Sequence, residues 1–226
     1  MNWDDTGFLI SKNRYNENSL ISEIFTRDHG KISGLVFGGT SRKIKNYLQI
    51  GNQLHVNYNS KSENRIGYFK LEIQKPFSPI YFENRMKITC IYSVMNLVRL
   101  LTAESQSNTD IFKLIEKFYH IISNDHWLKD YILWELELFK VLGFDLELNN
   151  FVTKELIDYK AIYFVKSKNE KKIVPNFLID KNINEKNLNT LLKGLRLVSD
   201  FLEKNILKPS NLIYPLSRTH FIDSIK

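Results

Sequence analysis

The sequence predicts an α+β protein, with a small five-stranded β-barrel, closed or nearly closed, followed by an α-helical domain that carries a small β-hairpin insertion. Three observations predict it. Up to about residue 75 the apolar residues recur in short runs with a period close to two, and beyond about residue 83 the period lengthens to that of a helix. Seven of the nine glycines fall in the first 67 residues, whereas all five prolines fall from Pro76 onward. Between the two regimes lies KPFSP, Lys75 to Pro79, where proline withholds a ladder hydrogen bond and restricts the residue before it. This run reads as a linker and sets the expected domains at 1–78 and 79–226.

The strand-like runs are Gly7 to Lys12, Leu20 to Thr26, Lys31 to Phe37, Gln53 to Asn59 and Gly67 to Gln74. In the last, Phe69, Leu71 and Ile73 alternate with Tyr68, Lys70, Glu72 and Gln74, as a strand with one buried face requires. Helical stripes follow over about 83–103, 110–123 and 125–142, the third stopped by Gly143 as a C-cap and apolar around much of its circumference. Residues 160–174 give two short β-like runs about the polar turn SKNEKK. A long helix is expected from Asn184 to Asn205.

The 226 residues carry 32 Lys and Arg against 25 Asp and Glu, a formal charge of +7. Residues 1–80 hold 11 of the cations and 7 of the acids, so the excess is denser in the first third. Its focus is Thr26 to Gly51, with five glycines. No acid occurs between Asp28 and Glu63, while Lys31, Arg42, Lys43, Lys45 and Lys61 fall in that gap. Uncompensated cations on a glycine-punctuated surface are the footprint of a polyanion partner. A solvated basic face needs no ligand, so both readings stay open from these residues. A barrel face offering Lys31, Lys70, Tyr68 and His55 beside the Arg42 to Lys45 turn combines phosphate contacts with rings for stacking. Tyr47, Tyr58 and Tyr68 are the candidate stacking rings, and also ordinary core aromatics.

Catalytic motifs are sparse. Gly38 to Lys43 lacks the Gly-Lys-Ser/Thr core of a phosphate loop. Glu135 and Glu137, two apart on a helix, diverge and read as solvated or salt-bridged residues. The five histidines show no metal-ligand spacing, and the single cysteine, Cys90, lies on an apolar helical stripe where a buried thiol is expected. No enzyme is indicated and no cofactor is expected. One cysteine excludes a disulfide framework within the chain and fits a reducing, cytoplasmic setting. The start MNWDDTGF has no signal-peptide pattern, and no apolar run reaches the length of a membrane span.

The order of these features resembles the RecO family of DNA repair and recombination mediators. The resemblance is carried by TGFLISKNRYNENSLISEIFTRDHGKISGLVFGGTSRK, with a Tyr-x-Glu-x loop at Tyr15 to Asn18, Phe25 and Thr26 ending a strand, then Gly30 and the Gly39 to Lys43 basic turn. LWELELFKVLGFDLEL (Leu133 to Leu148) and YPLSRTHFI (Tyr214 to Ile222) resemble the family's central helix and tail. The resemblance implies an N-terminal OB-fold, binding of single- and double-stranded DNA, and annealing of complementary strands. It further implies association with RecR and with the acidic C-terminal tail of single-stranded DNA-binding protein, so that RecA is loaded. On that reading the phosphate contacts fall to Lys31, Arg42, Lys43 and Lys45, with Arg65 and Lys70 beside them and Tyr68 as a stacking ring. The receptor for the acidic tail joins an apolar pocket to a cation, and Arg99, Lys113, Lys129, Lys193 and Arg196 all qualify.

One departure stands out. Many relatives bind zinc through cysteines flanking the hairpin, and the corresponding region, about 150–178, has none. The resemblance therefore implies a hairpin that is either held by apolar packing, with Ile162, Phe164, Ile173 and Phe177 as the candidates, or loose, and no zinc. The alternatives are an RNA-binding OB-fold protein with a helical interaction domain and, from a different class, a metal-independent hydrolase using Glu135 or a histidine.

Overall fold

The structure is a computed structural model that describes residues 1–62, 65–157, 160–167 and 170–225. These fall into two compact units, 1–113 with 215–224, and 114–214 with Ile225.

The first unit is built on five strands: β1 (Asn2–Arg14), β2 (Ser19–Thr26), β3 (Gly30–Phe37), β4 (Gln53–Asn59) and β5 (Gly67–Lys75). They form a closed barrel in the order β1-β2-β3-β5-β4, with β4 pairing back onto β1. This is the OB-fold that the resemblance implies. Alternation puts Leu9, Ile24, Ile32, Val36, Leu54, Val56, Phe69 and Leu71 inside, so the period-two pattern is the barrel core. Four antiparallel seams pair seven or eight rungs each, whereas β3 and β5 meet in parallel at only two rungs, Gly34 with Gly67 and Leu35 with Tyr68. A Cβ on Gly34 would come within 2.6 Å of the Phe69 ring, and one on Gly67 within 2.5 Å of the Tyr58 ring. Glycine at both positions therefore lets the barrel close.

β1 is twice as long as the alternation predicted. Asp5 explains part of the difference: its carboxylate accepts the backbone N–H of Thr6 and of Asp28 and sits 2.9 Å from His29 Nδ1. A buried acid is thereby satisfied while it fixes the β2–β3 turn. A register shift between Leu9 and Ser11 turns Phe8, Leu9 and Ile10 all inward or under cover. Leu9 enters the barrel core, and Phe8 packs against Phe77 and Phe112 on the outside.

Between β3 and β4 the expected basic turn is a short helix, α1 (Arg42–Tyr47), with the Ser41 hydroxyl accepting the Ile44 N–H as N-cap. The KPFSP run is likewise not a free linker. Its middle is a helical turn, α2 (Phe77–Ile80), whose Ser78 is buried, with its N–H donating to Asn52 Oδ1 and its hydroxyl donating to the Ile50 carbonyl. α3 (Arg85–Leu101) then packs against β1, with Cys90 fully buried as expected. α4 (Thr109–Ser123) starts in the first unit and continues into the second.

The second unit centres on α5 (Trp127–Val141), which buries Trp127, Tyr131, Trp134, Leu138 and Phe139. Trp134 Nε1 donates to the Leu114 carbonyl at 2.7 Å. Glu135 is not solvated: it is fully buried, and the Tyr131 hydroxyl donates to it. Glu137 is paired to Lys117 at the surface. After α6 (Leu148–Phe151) the expected hairpin is a three-stranded sheet, β6 (Val152–Ile157), β7 (Lys160–Ser167) and β8 (Glu170–Val174). Of the turn SKNEKK, Lys168 and Asn169 lie outside the described residues. Phe164 and Phe177 are buried, but Ile173 is exposed and Val174 takes the core position. The Phe177 ring fills the space over Gly194 of α7 (Leu188–Phe201), where a Cβ would lie 2.5 Å from it. α7 runs on into a π-helical turn over Leu202–Leu207. A last helix, α8 (Leu216–Ser224), belongs to the first unit and packs along α3, where Asn96 donates to the Ser217 hydroxyl. The low amphipathicity of the tail had left that helix unread.

Candidate nucleic-acid interface

The β3–α1–β5 side of the barrel gathers most of the cations singled out in the sequence. Arg42, Lys43 and Lys45 are exposed on α1, whose first turn holds no acid. Its other face is apolar: Ile44 and Tyr47 pack on the barrel core, and the Tyr47 hydroxyl donates to the Leu71 carbonyl at 3.3 Å. That bond ties α1 to β5, the strand carrying Tyr68 and Lys70. Tyr68 is half-buried and Lys70 exposed, both turned away from the core residues Phe69 and Leu71. Across the short parallel seam, Phe37 stands 60% exposed with its ring 5.8 Å from that of Tyr68. Two outward rings flanked by cations are a platform on which bases stack while phosphates are neutralised. Phe37 escaped the sequence reading, although its even spacing from Leu35 and Ser33 marks it as outward.

The Tyr15 to Asn18 loop lies against the same end of the barrel, where the Thr40 hydroxyl donates to the Glu17 carbonyl. Tyr15 is 60% exposed. His55 is exposed, with Nε2 3.4 Å from the Asp4 carboxylate. Arg65 is exposed in the β4–β5 loop, at the rim of a separate groove.

Lys31 is engaged differently. Its ammonium donates to the carbonyls of Arg99 and Thr102 at the C-terminal end of α3, 2.8 and 2.5 Å away. A cation at the last carbonyls of a helix satisfies acceptors that have no intrahelical donor and complements the helix dipole. Burial pushes the Lys31 pKa down, with Glu23 and Glu104 acting in the opposite sense. Lys12 serves α1 in the same way: its ammonium donates to the Leu48 carbonyl, and burial and then the charge of Lys45 lower its pKa. Replacing Lys31 by methionine keeps the stem and leaves two carbonyls without a donor. The expected result is a loss of about 1–3 kcal/mol in unfolding free energy, read by chemical denaturation, with the salt dependence of DNA binding unaltered.

Among the described residues no cluster of three His, Cys, Asp or Glu side chains suits a metal ion, and no helix is long and apolar enough to cross a membrane. In the second unit, Lys193, Arg196, Leu197, Ile173 and Tyr214 line a groove of about 840 Å³. The other cations considered for an acidic tail have partners already: Arg99 pairs with Glu23, Lys113 lies 3.9 Å from Asp110, and Lys129 donates to the Lys181 carbonyl.

Comparison with known proteins agrees with this architecture. The family description Recombination protein O N terminal matches residues 1–77, and Recombination protein O C terminal matches residues 83–177. The DNA repair protein RecO of Rhodospirillum centenum is 21% identical over 237 residues, covering 99% of this chain and 94% of that protein. Its counterpart in Wolbachia pipientis subsp. Culex pipiens is 33% identical over 155 residues, 66% of this chain and 62% of that one. Among solved structures, Entamoeba histolytica asparaginyl-tRNA synthetase aligns at 9% identity, covering 94% of this chain and 59% of that one, with a TM-score of 0.31, too low to carry an argument. Two adjoining RecO domains in their proper order, on a closed OB barrel followed by helices, place this chain in the RecO family of DNA repair and recombination proteins.

Proposed function

We propose that this protein binds single- and double-stranded DNA on the β3–α1–β5 face of its barrel, anneals complementary strands, and helps load RecA onto DNA covered by single-stranded DNA-binding protein. The observation that carries the reading is α1: three exposed cations on a helix without an acid in its first turn, beside the outward rings of Phe37 and Tyr68. Phosphate contacts fall to Arg42, Lys43 and Lys45, with Lys70 and Arg65 extending the path and Lys31 supporting it from within the fold. No catalytic residue is needed. Complementary strands repel through their phosphates, and a basic surface that holds both lowers the repulsion and raises their local concentration.

RecR and the acidic C-terminal tail of single-stranded DNA-binding protein are the proposed protein partners. The groove between β8 and α7 supports a tail receptor, because Ile173, Leu197 and Tyr214 supply apolar surface while Lys193 and Arg196 supply cations one turn apart. The test is annealing of complementary oligonucleotides precoated with single-stranded DNA-binding protein, followed by fluorescence energy transfer. Acceleration is expected. An annealing rate equal to that of the coated strands alone removes the mediator role, and stronger binding to matched RNA than to DNA favours an RNA-directed function instead.

A further inference from the structure

α1 is a poor helix on its own terms. It has six residues, fewer than a helix needs to persist in water, and Arg42 and Lys43 set positive charge against the positive end of its dipole. At its start the Ser41 hydroxyl accepts the Ile44 N–H at a long 3.4 Å. At its other end, three carbonyls that a longer helix would satisfy internally each receive a side-chain donor. Gln49 Nε2 donates to the Lys45 carbonyl at 2.6 Å, Asn52 Nδ2 to the Tyr47 carbonyl at 2.8 Å, and Lys12 Nζ to the Leu48 carbonyl at 2.5 Å.

The three donors differ in origin. Gln49 and Asn52 belong to the loop that leaves α1, and Asn52 is itself buried and fixed, its Oδ1 accepting the Ser78 N–H and its carbonyl the Leu9 N–H. Lys12 comes from β1, just past the register shift between Leu9 and Ser11, an irregularity of the kind that re-aims side chains. Its ammonium also lies 3.5 Å from Gln49 Oε1, so it braces the side chain that holds the Lys45 carbonyl. Burial, and then the charge of Lys45, both work against that ammonium. A cation is kept there against both because its hydrogen bonds are spent on α1 rather than offered to solvent.

From this we infer that Lys12 is a positioning residue for the DNA interface: it keeps α1 folded, and with it the spacing of Arg42, Lys43 and Lys45, without touching phosphate. The inference rests on the DNA-binding reading of α1 and adds a condition to it. DNA that meets a frayed α1 must select its ordered form, and binds more weakly by the fraction ordered.

Anisotropy of a labelled thymidine dodecamer with the full chain, across a salt series and beside a thermal melt, tests this. Lys12→Met keeps the stem and removes the donors. It is expected to weaken binding about tenfold, the equivalent of one hydrogen bond to a charged group, with the slope of log affinity on log salt unchanged. Gln49→Leu removes the contacts to Lys45 and Lys12 without altering charge, and is expected to weaken binding about fivefold, again at unchanged slope. In a chain with Arg42, Lys43 and Lys45 already replaced by alanine, Lys12→Met is expected to cause no further loss, because the charges it positions are gone. A general loss of stability would not give that pattern. A slope lower by about 0.7 in Lys12→Met, or an additive loss in the triple-alanine chain, makes Lys12 a phosphate contact and overturns the positioning role. Unchanged affinity in either variant overturns it as well, so Gln49→Leu decides alone if Lys12→Met fails to fold. Absence of binding by the parent chain overturns the DNA-binding reading itself, and this inference with it.

Discussion

Replacing Arg42, Lys43 and Lys45 together by alanine is expected to weaken single-stranded DNA binding about 100-fold at low salt, and to flatten the dependence of log affinity on log salt by about 2. The size follows from three phosphate contacts, each releasing about 0.7 counterion on a single strand and each contributing roughly 1 kcal/mol. The loss should be similar for all sequences, since phosphate contacts carry no base information. What makes the variant informative is the fold's indifference to these side chains. They are exposed, and Arg42 and Lys43 sit in the first turn of α1, where positive charge is opposed by the helix dipole. Alanine there is expected to leave the melting temperature level or slightly higher. Salt titration of binding beside a thermal melt separates the two effects; an unaltered salt slope removes α1 from the interface.

Gly30→Ala is expected to produce the largest loss of stability of any single methyl added to the barrel. Gly30 has φ +70°, and a Cβ on it would lie 1.9 Å from the Gln106 carbonyl oxygen and 2.4 Å from its carbon. The left-handed conformation costs about 1–2 kcal/mol for a residue with a side chain. The steric conflict is added to that, because the obstacle is backbone and the segment around it is held by the Ser105 N–H on the Lys31 carbonyl. A combined cost of about 3 kcal/mol or more lowers the melting temperature of a chain this size by roughly 6 °C or more. Gly38→Ala is the control. Its φ is +68°, but the nearest atom to its Cβ is the end of Ile44, 3.5 Å away. Only the conformational cost applies there, so a drop equal to that of Gly30→Ala would refute the steric account.

The barrel was legible because its signal is local: alternation over Lys31 to Phe37 and Gly67 to Leu71 survives in the structure residue for residue, whereas Ile73, expected inward, is exposed and Ile24, Phe25 and Thr26 are all buried at the end of β2. The losses share a cause. The first turn of β1 hides behind Asp4 and Asp5, since nothing in a linear pattern reveals that Asp5 is satisfied by Thr6, Asp28 and His29. α1 is six residues long, too short for periodicity, and is defined by the Ser41 cap and by packing of Ile44 and Tyr47 on strands distant in sequence. Ser78 in the supposed linker and the burial of Glu135 in α5 are hidden from the sequence for the same reason, because their contacts with Asn52, Ile50 and Tyr131 are set by the fold. The basic residues were found by composition alone. Composition counts Lys12 and Lys31 as surface charge, whereas both ammonium groups are occupied at helix ends.

The two-rung parallel seam between β3 and β5 has a mechanical consequence. Every other line around the barrel is zipped over seven or eight rungs, so the thermal opening of least cost runs between Gly34 and Gly67. Phe37 stands on one lip of that line and Tyr68 on the other. A nucleotide resting on both rings would act as a suture, so that occupancy of the proposed interface and closure of the barrel become one thermodynamic event, and the protein grows harder to melt as its ligand is added.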